Sequence, residues 1–413
     1  MDATAREVDV GIAASSTGVW TRIRTDAPAI LGIALQLLLV ALILGQADMF
    51  TSAFRRVFYL ASAGFVVHHF LPAKHRLTFF TALCGAGLLV VLGGAPDRFW
   101  DPWLAVSRAV PLVACGAALA GICLLPIGFW KRVLLLVAAG AVIAALRADL
   151  FGPDALLVVW PLLAAFVMFR LMIFLYDVST SKARPDLRHV LSYLFLLPNA
   201  ACTLFPLVDF KTLIRSHYDS DALDIYRRGM GWIIRGVLQL LAYRLIRELA
   251  SLDPASVSNG RELIQFILAS TFVYLQVSGT FHLVVGMLLL FGFNLPETNR
   301  RYFLASSFTD YWRRVNIYWK DFILKIFYYP TYFRLKSLGP TRALVVAKLW
   351  SFFMTWLLHL YQTWWLKGSA SLRWTDVLFW SILALLVLAN SLWEMKHGRQ
   401  RKLASSTWSV RSA

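Results

Sequence analysis

The sequence predicts an all-α integral membrane protein: a single polytopic bundle of about ten transmembrane helices, with one broken, re-entrant segment and one amphipathic interfacial helix. Composition is the first ground. Of 413 residues, 59% are hydrophobic and 15% are charged, whereas a soluble domain carries about 25% charged residues. Spacing is the second: apolar runs near the roughly 20 residues needed to cross a bilayer recur along the whole length, with no long soluble stretch between them. The third is where the charge lies. A formal net charge of +18 invites a nucleic-acid reading, but the Lys and Arg residues sit in short connections and build no basic soluble module. The positive-inside bias of membrane proteins accounts for them, and no nucleic-acid partner is expected. Cys84, Cys115, Cys123 and Cys202 lie in or beside apolar runs without metal-ligand spacing; they read as packed or lipid-facing small residues, and no metal is expected.

Residues 1–26 form a polar tail expected on the cytoplasmic side. An apolar run from Ala27 to about Leu44 follows and ends in Gly45, Gln46 and Ala47, an ending that also suits signal-peptide cleavage. The run exceeds the roughly 7 to 15 residues of a signal core, so an uncleaved first span is the expectation. Spans at 57–71, 77–93, 104–127, 133–147 and 155–176 complete an N-terminal set over 27–176. Lys74, His75 and Arg76, then Lys131 and Arg132, then Lys182, Arg184 and Arg188, mark cytoplasmic connections. The connections from Pro96 to Pro102 and from Arg147 to Asp154 carry acids and turn formers and face outward. This orientation puts the N-terminus inside and leaves Arg55 and Arg56 on the unfavoured side. His68, His69 and His75 gather near the end of the second span without the carboxylate company of a metal site. The glycines at 85, 87, 93 and 94 suggest close helix packing, and no phosphate-binding loop occurs.

A second unit covers 177–396. From 190 to 210 the run is apolar yet broken by Pro198, Asn199 and Pro206, which remove backbone donors and disfavour one continuous helix. Non-helical backbone at membrane depth survives where protein or a water-filled cavity satisfies it, so a re-entrant, interior-lining segment is expected, with a proline-kinked span as the alternative. Arg227 and Arg228 precede a span at about 231–250, a short outer loop follows around Asp253 and Pro254, and a long span occupies about 262–292. Asp310, Arg313, Arg314, Lys320 and Lys325 then alternate with Phe308, Tyr311, Trp312, Val315, Trp319, Phe322 and Ile326. The apolar members recur at three and four residues, as in an amphipathic helix at an interface or cavity wall. Spans at about 343–366 and 374–395 close the unit, and the basic tail 397–413 is expected in the cytoplasm. No internal repeat interrupts this order.

The densest polar chemistry lies between Phe291 and Lys367. Trp312 and Asn316 stand four apart, and His359 interrupts the centre of the apolar segment from Leu344 to Leu366. Upstream, Leu191 to Asn199 is followed by Pro206 and by Val208, Asp209 and Phe210. In order and spacing these three segments resemble the membrane-bound O-acyltransferase family, whose members pair a Trp-x-x-x-Asn/His helix with a downstream buried histidine. The resemblance covers roughly residues 188–367; the first 150 match only in being hydrophobic. It implies His359 and Asn316 as catalytic residues. It also departs from the bacterial polysaccharide-acetylating branch, where His is common at the position of Asn316.

An ionisable group at mid-span is costly and faces the protein interior or an aqueous cavity. Thr355, Gln362 and Thr363 share the face of His359, one turn away on either side. Taken from residues alone, His359 is equally a structural histidine bonded to another span, and Asn316 a solvated polar residue. Under the resemblance, neutral His359 takes the proton of an acceptor hydroxyl, and the Asn316 amide orients the acceptor or donates to the oxyanion. The sequence also leaves a covalent acyl-histidine route open. Substrate-contacting candidates are Trp312, Arg313, Thr355, Gln362, His282 and Asn199; His282 reads equally as a core histidine, and Asn199 and Asp209 as partners for broken backbone. No bound cofactor is expected. Acyl-CoA, with acetyl-CoA the first candidate, is the implied co-substrate, and Arg300, Arg301, Arg313, Arg314, Lys320, Lys325, Arg334, Lys336, Arg342 and Lys348 supply positive charge for its phosphates or for anionic lipid. The acceptor is a hydroxylated glycan or cell-envelope component, a lipid or a small molecule; membrane lipid and a partner protein are the other possible partners. A bacterial inner membrane is the implied location. The competing classes are a transporter or flippase, which would show paired broken helices in two related halves, and a catalytically inactive assembly partner.

Overall fold

The computed structural model describes residues 19–46, 50–94, 100–147, 163, 169–181, 185–201, 206–367 and 372–398. Within these, every regular element is helical, and the β contact present is an isolated bridge between His217 and Phe293. Five helices come first: α1 (Val19–Gln46), α2 (Ser52–Phe70), α3 (Ala73–Leu92), α4 (Pro102–Leu124) and α5 (Phe129–Arg147). Their starts are chemically marked. Thr51 Oγ1 accepts from the Phe54 N–H at 3.3 Å, and Asp101 accepts from the Leu104 N–H at 3.0 Å, so side chains satisfy donors that the first turn leaves open. Next come α6 (Phe169–Ser179), α7 (Leu187–Leu194), α8 (Phe210–Arg215), α9 (Ala222–Ala250), α10 (Gly260–Thr271) and α11 (Val273–Leu289). The chain closes with α12 (Phe308–Arg314), α13 (Ile317–Ile323), α14 (Tyr329–Leu335), α15 (Pro340–Lys367) and α16 (Trp374–His397).

Seven stretches among the described residues are long and apolar enough to cross a membrane: most of α1, then α3, α4, α5, α10 continued into α11, α15 and α16. This is the make-up of an integral membrane protein. α2 and α9 form where spans were expected, but they fall outside the seven; α9 carries Arg227, Arg228, Arg235, Arg244 and Arg247 along its length. The expected span at 155–176 is described only at Leu163 and from Phe169 onward. The expectations for both terminal tails, for Cys202, and for most of the connections at 96–102 and 147–154 lie outside the described residues.

The tightest contact in the bundle joins α9 to α11. Gly229 and Gly236 on one helix face Gly286 and Gly279 on the other, in antiparallel order. A Cβ on Gly236 would lie 2.6 Å from the Gly279 carbonyl oxygen, and one on Gly286 would lie 2.8 Å from that of Gly229. In each helix the two glycines are seven residues apart, which is about two turns and returns them to one face. Backbone therefore packs on backbone, and every residue of α11 from Ser278 to Leu289 is buried.

The 190–210 stretch is broken, as the prolines require. α7 ends at Leu194, a 3-10 turn spans Leu197–Ala200, and α8 begins at Phe210 behind the cap Asp209. Protein groups take up carbonyls freed by the break: the buried Arg170 donates to the Tyr193 carbonyl, and the Tyr193 hydroxyl donates to the Val208 carbonyl at 3.0 Å. Buried backbone polar groups otherwise go unpaired at considerable cost.

One expectation needs correcting. The periodic stretch from Phe308 to Ile326 is not a single amphipathic helix; it is cut at Val315 and Asn316 into α12 and α13, and runs on through a π turn (Leu324–Tyr328) into α14. The buried 298–300 strip does the cutting. Asn299 Oδ1 accepts from the Asn316 N–H at 2.8 Å, the Thr298 carbonyl accepts from the Ile317 N–H at 2.8 Å, and the Arg314 carbonyl accepts from the Arg300 N–H at 2.9 Å. These bonds replace helical ones, and apolar periodicity carries no signal of them.

The glycine seam is testable. Gly236→Ala should lower unfolding free energy by about 1–3 kcal/mol through overpacking. Gly231→Ala, on the same helix with nothing within 4 Å of its Cβ, should raise it by roughly 0.5–1 kcal/mol. Thermal unfolding of the detergent-solubilised protein, read for both variants, checks the contrast.

Candidate functional site

Helix α15 carries a ladder of side chains that bond back to their own helix. Ser351 donates to the Ala347 carbonyl at 2.7 Å, Thr355 to that of Ser351 at 2.8 Å, and Thr363 to that of His359 at 2.8 Å. His359 is a rung of this ladder: its Nδ1 lies 2.8 Å from the Thr355 carbonyl oxygen. A carbonyl only accepts, so Nδ1 bears the proton, and in the neutral ring Nε2 holds the lone pair. The polar stripe seen in the sequence is thus satisfied within one helix, and it fixes the tautomer of its histidine.

Two tryptophans wall the half-buried His359 ring. Trp319 of α13 meets it nearly edge to face, with centroids 4.9 Å apart and planes at 71°, and Trp380 of α16 lies 5.1 Å away on a tilt of 47°. Leu358, next in the chain, packs with Phe169, Ile173, Leu207, Phe322 and Ile323. The surroundings of His359 therefore come from α6, the broken segment, α13, the π turn's start and α16. Trp312 sits one cluster away, stacked at 4.8 Å on Phe352, with Trp380 completing that group.

Asn316 enters through backbone geometry. Its φ of 40° and ψ of 63° are left-handed, a conformation Asn tolerates better than most side chains, and its Oδ1 accepts from the Trp319 N–H at 3.3 Å,. It is the N-cap of α13. Its Oδ1 is committed to holding Trp319, which leaves the amide Nδ2 as its donor. Asn316 and His359 are linked through Trp319, the residue that the sequence showed only as one apolar member of a helical face.

The remaining candidates divide. Thr355 is fully buried in the ladder, and Gln362 is half-buried one turn beyond His359. Arg313 faces Glu394 of α16 at 3.6 Å. His282 belongs to the α9–α11 seam, where its Nδ1 pairs with Gln239 Oε1 at 2.8 Å and its ring meets Trp232 at 5.7 Å. Asn199 is buried in the 3-10 turn of the broken segment, with neither amide atom hydrogen-bonded. Neither His282 nor Asn199 is among the side chains stacked on or bonded to the His359 ring.

Much of the expected positive charge is already paired. Arg314 meets Asp310 at 2.9 Å, Lys320 meets Asp321 at 2.8 Å, and Lys325 bonds the buried Asp177 at 2.5 Å and reaches Asp209 at 3.9 Å. Burial pushes the Asp310 carboxyl up, but hydrogen bonds from Arg314 and Ser306 outweigh it and hold the group below the usual range. A cavity of about 70 Å³ opens beside Lys325, Asp209, Asp321 and Tyr318. It shares Ile173, Leu207 and Phe322 with the cluster that packs Leu358, so one apolar layer lies between this polar pocket and the histidine. Among the described residues no group of three or more His, Cys, Asp or Glu side chains is arranged to hold a metal.

No protein-family model matches the chain, and comparison with curated proteins finds no match.

Two outcomes follow from this geometry. Asn316→Ala should cost about 0.5–2 kcal/mol for the lost cap and roughly 1–2 kcal/mol more for its left-handed backbone. Asn316→Gly, free of the second cost, should melt measurably higher than Asn316→Ala. Lys325→Met leaves Asp177 buried without its partner and should lose about 3–5 kcal/mol. The double variant with Asp177→Leu should recover most of that loss in a denaturation series.

Proposed function

We propose that this protein is a membrane-embedded O-acyltransferase. It moves an acyl group, acetyl being the first candidate, from a cytoplasmic acyl-CoA to a hydroxyl of a glycan or cell-envelope acceptor. The observation that carries the proposal is His359: a mid-helix imidazole whose Nδ1–H is tied to the Thr355 carbonyl, so that Nε2 is the basic nitrogen, beside a tryptophan capped by Asn316. The motif resemblance of Trp312, Asn316 and His359 to membrane-bound O-acyltransferases supports the same reading.

The chemistry asks little of the protein beyond a base and an oxyanion partner, because a thioester brings its own leaving group. Nε2 of His359 takes the proton of the acceptor hydroxyl as its oxygen bonds to the carbonyl carbon, and the carbonyl electron pair moves onto oxygen. Collapse of the tetrahedral species breaks the C–S bond, and the imidazolium returns its proton to the departing thiolate. Asn316 orients the group at this centre. The finer architecture belongs to the proposal as well: about ten spans, a re-entrant 190–210 segment that lines the interior, both termini in the cytoplasm, and a bacterial inner membrane as the setting.

The test is thiol release in detergent, from acetyl-CoA and longer acyl-CoAs, with glycan, lipid and small-molecule hydroxyl acceptors present. Wild type should release thiol, and His359→Ala should lose about 10²- to 10⁴-fold of that rate while purifying as a folded protein. Equal behaviour of the two, together with substrate movement across a vesicle membrane, would replace acyl transfer by transport.

A further inference from the structure

We infer that the indole N–H of Trp319 is a hydrogen-bond donor to the acyl carbonyl oxygen at His359, with Asn316 as the positioning residue that holds the indole there. The inference rests on the acyl-transfer reading and adds a catalytic residue to it.

Trp319 Nε1 is buried and has no hydrogen-bond acceptor in the protein. Folded proteins pair the great majority of buried polar groups, and an exception of this kind asks for an explanation. A structural tryptophan in an apolar cluster would be replaced by phenylalanine at no loss of pairing, whereas an indole at a reaction centre keeps its donor unpaired until an acceptor arrives. The placement favours the second account. Trp319 is the one residue that both stacks on the His359 ring and carries a buried unpaired donor among the described residues.

Its position is also fixed from every side. Asn316 Oδ1 holds its backbone N–H at 3.3 Å, Phe169 meets its ring edge-on at 5.4 Å, and Phe322 packs at 5.4 Å from the other flank. A donor that acts on developing charge must be held in place before the reaction, since reorganisation during it would consume the gain. With ring centroids 4.9 Å apart, a single carbonyl group fits against both partners. Its oxygen would lie about 3 Å from Nε1 and its carbon beside the hydroxyl that Nε2 deprotonates. An indole stays neutral and cannot protonate the oxyanion, so the proton balance of the transfer is unchanged: the hydroxyl proton still passes through His359 to the thiolate. Asn316 acts through Trp319, which gives its left-handed cap a catalytic consequence.

The decisive variant replaces Trp319 with 3-benzothienylalanine, which keeps the bicyclic shape and substitutes sulfur for the N–H. The full-length chain is compared in detergent with wild type, Trp319→Phe and His359→Ala, using acetyl-CoA and whichever hydroxyl acceptor supports turnover. The benzothienyl protein should lose about 10²- to 10³-fold in kcat with KM for the thioester within about twofold, and Trp319→Phe should lose at least as much kcat. The unfolding temperature of the benzothienyl variant should stay equal to wild type or rise, because a buried unpaired donor has been removed. Wild-type kcat in that variant, with His359→Ala inactive, overturns the donor role and leaves acyl transfer standing. A fall in stability that parallels the fall in kcat overturns it too, by making Trp319 structural. Undiminished thiol release by His359→Ala instead overturns the acyl-transfer reading from which the inference starts.

Discussion

Backbone contact between α9 and α11 sets the rest of the architecture. Where Gly229 and Gly236 meet Gly286 and Gly279, the two helix backbones approach without side chains between them, and dispersion over that area replaces the hydrophobic drive that lipid cannot supply. The seam fixes where α11 ends, and the chain leaves it through Gly292, whose φ of 86° is open to glycine, while the Gly292 carbonyl accepts from the Tyr218 N–H at 2.7 Å. From there Thr298 and Asn299, both buried, grip the break at Asn316. Asn316 caps Trp319, and Trp319 stands against His359. A packing event between two helices is thereby transmitted, bond by bond, to a histidine on a third.

The histidine is prepared in a second way that depends on its own helix. Hydroxyls that bond back to carbonyls four residues earlier satisfy themselves without a partner helix, so Ser351, Thr355 and Thr363 can sit in an apolar setting at little cost. His359 borrows the same geometry and has one nitrogen occupied as a result. The other nitrogen is left among aromatic neighbours with modest polarity. Pairing of Arg314, Lys320 and Lys325 with nearby carboxylates has a related effect: charges close to the aromatic cluster are compensated locally.

What the sequence disclosed depended on how local the determinant was. Helices α1, α3, α4, α5, α15 and α16 were legible because a run of apolar residues is sufficient for them, and the break near Pro198 because proline removes a donor wherever it stands. His359 was conspicuous as an ionisable residue in an apolar run, and its neighbour at minus four was named correctly as a face-mate. The break at Asn316 was not legible: it depends on Asn299 and Thr298, which are close in space through a loop whose path no periodicity records. Trp319 was visible only as a large apolar residue, since its role depends on an α13–α15 contact. The seam glycines did carry a signal, a spacing of seven in each of two segments, but pairing 229 with 286 and 236 with 279 requires knowing that the segments run antiparallel.

The π turn at Leu324–Tyr328 gives the region an unusual evolutionary grammar. A π turn accommodates one more residue per turn than an α-helix can hold in register, and in a regular helix each residue added or removed rotates all that follows by about 100°. Lys325 reaches Asp177 from inside this turn, and Tyr328 stacks on Tyr332 just beyond it. A lineage that lost a single codon here would keep a continuous helix yet turn the aromatic residues of α14 to another side, while everything up to Phe322 stayed where it was. Length variation at this point is therefore a way to remodel the outer wall of the histidine's surroundings without disturbing the inner one.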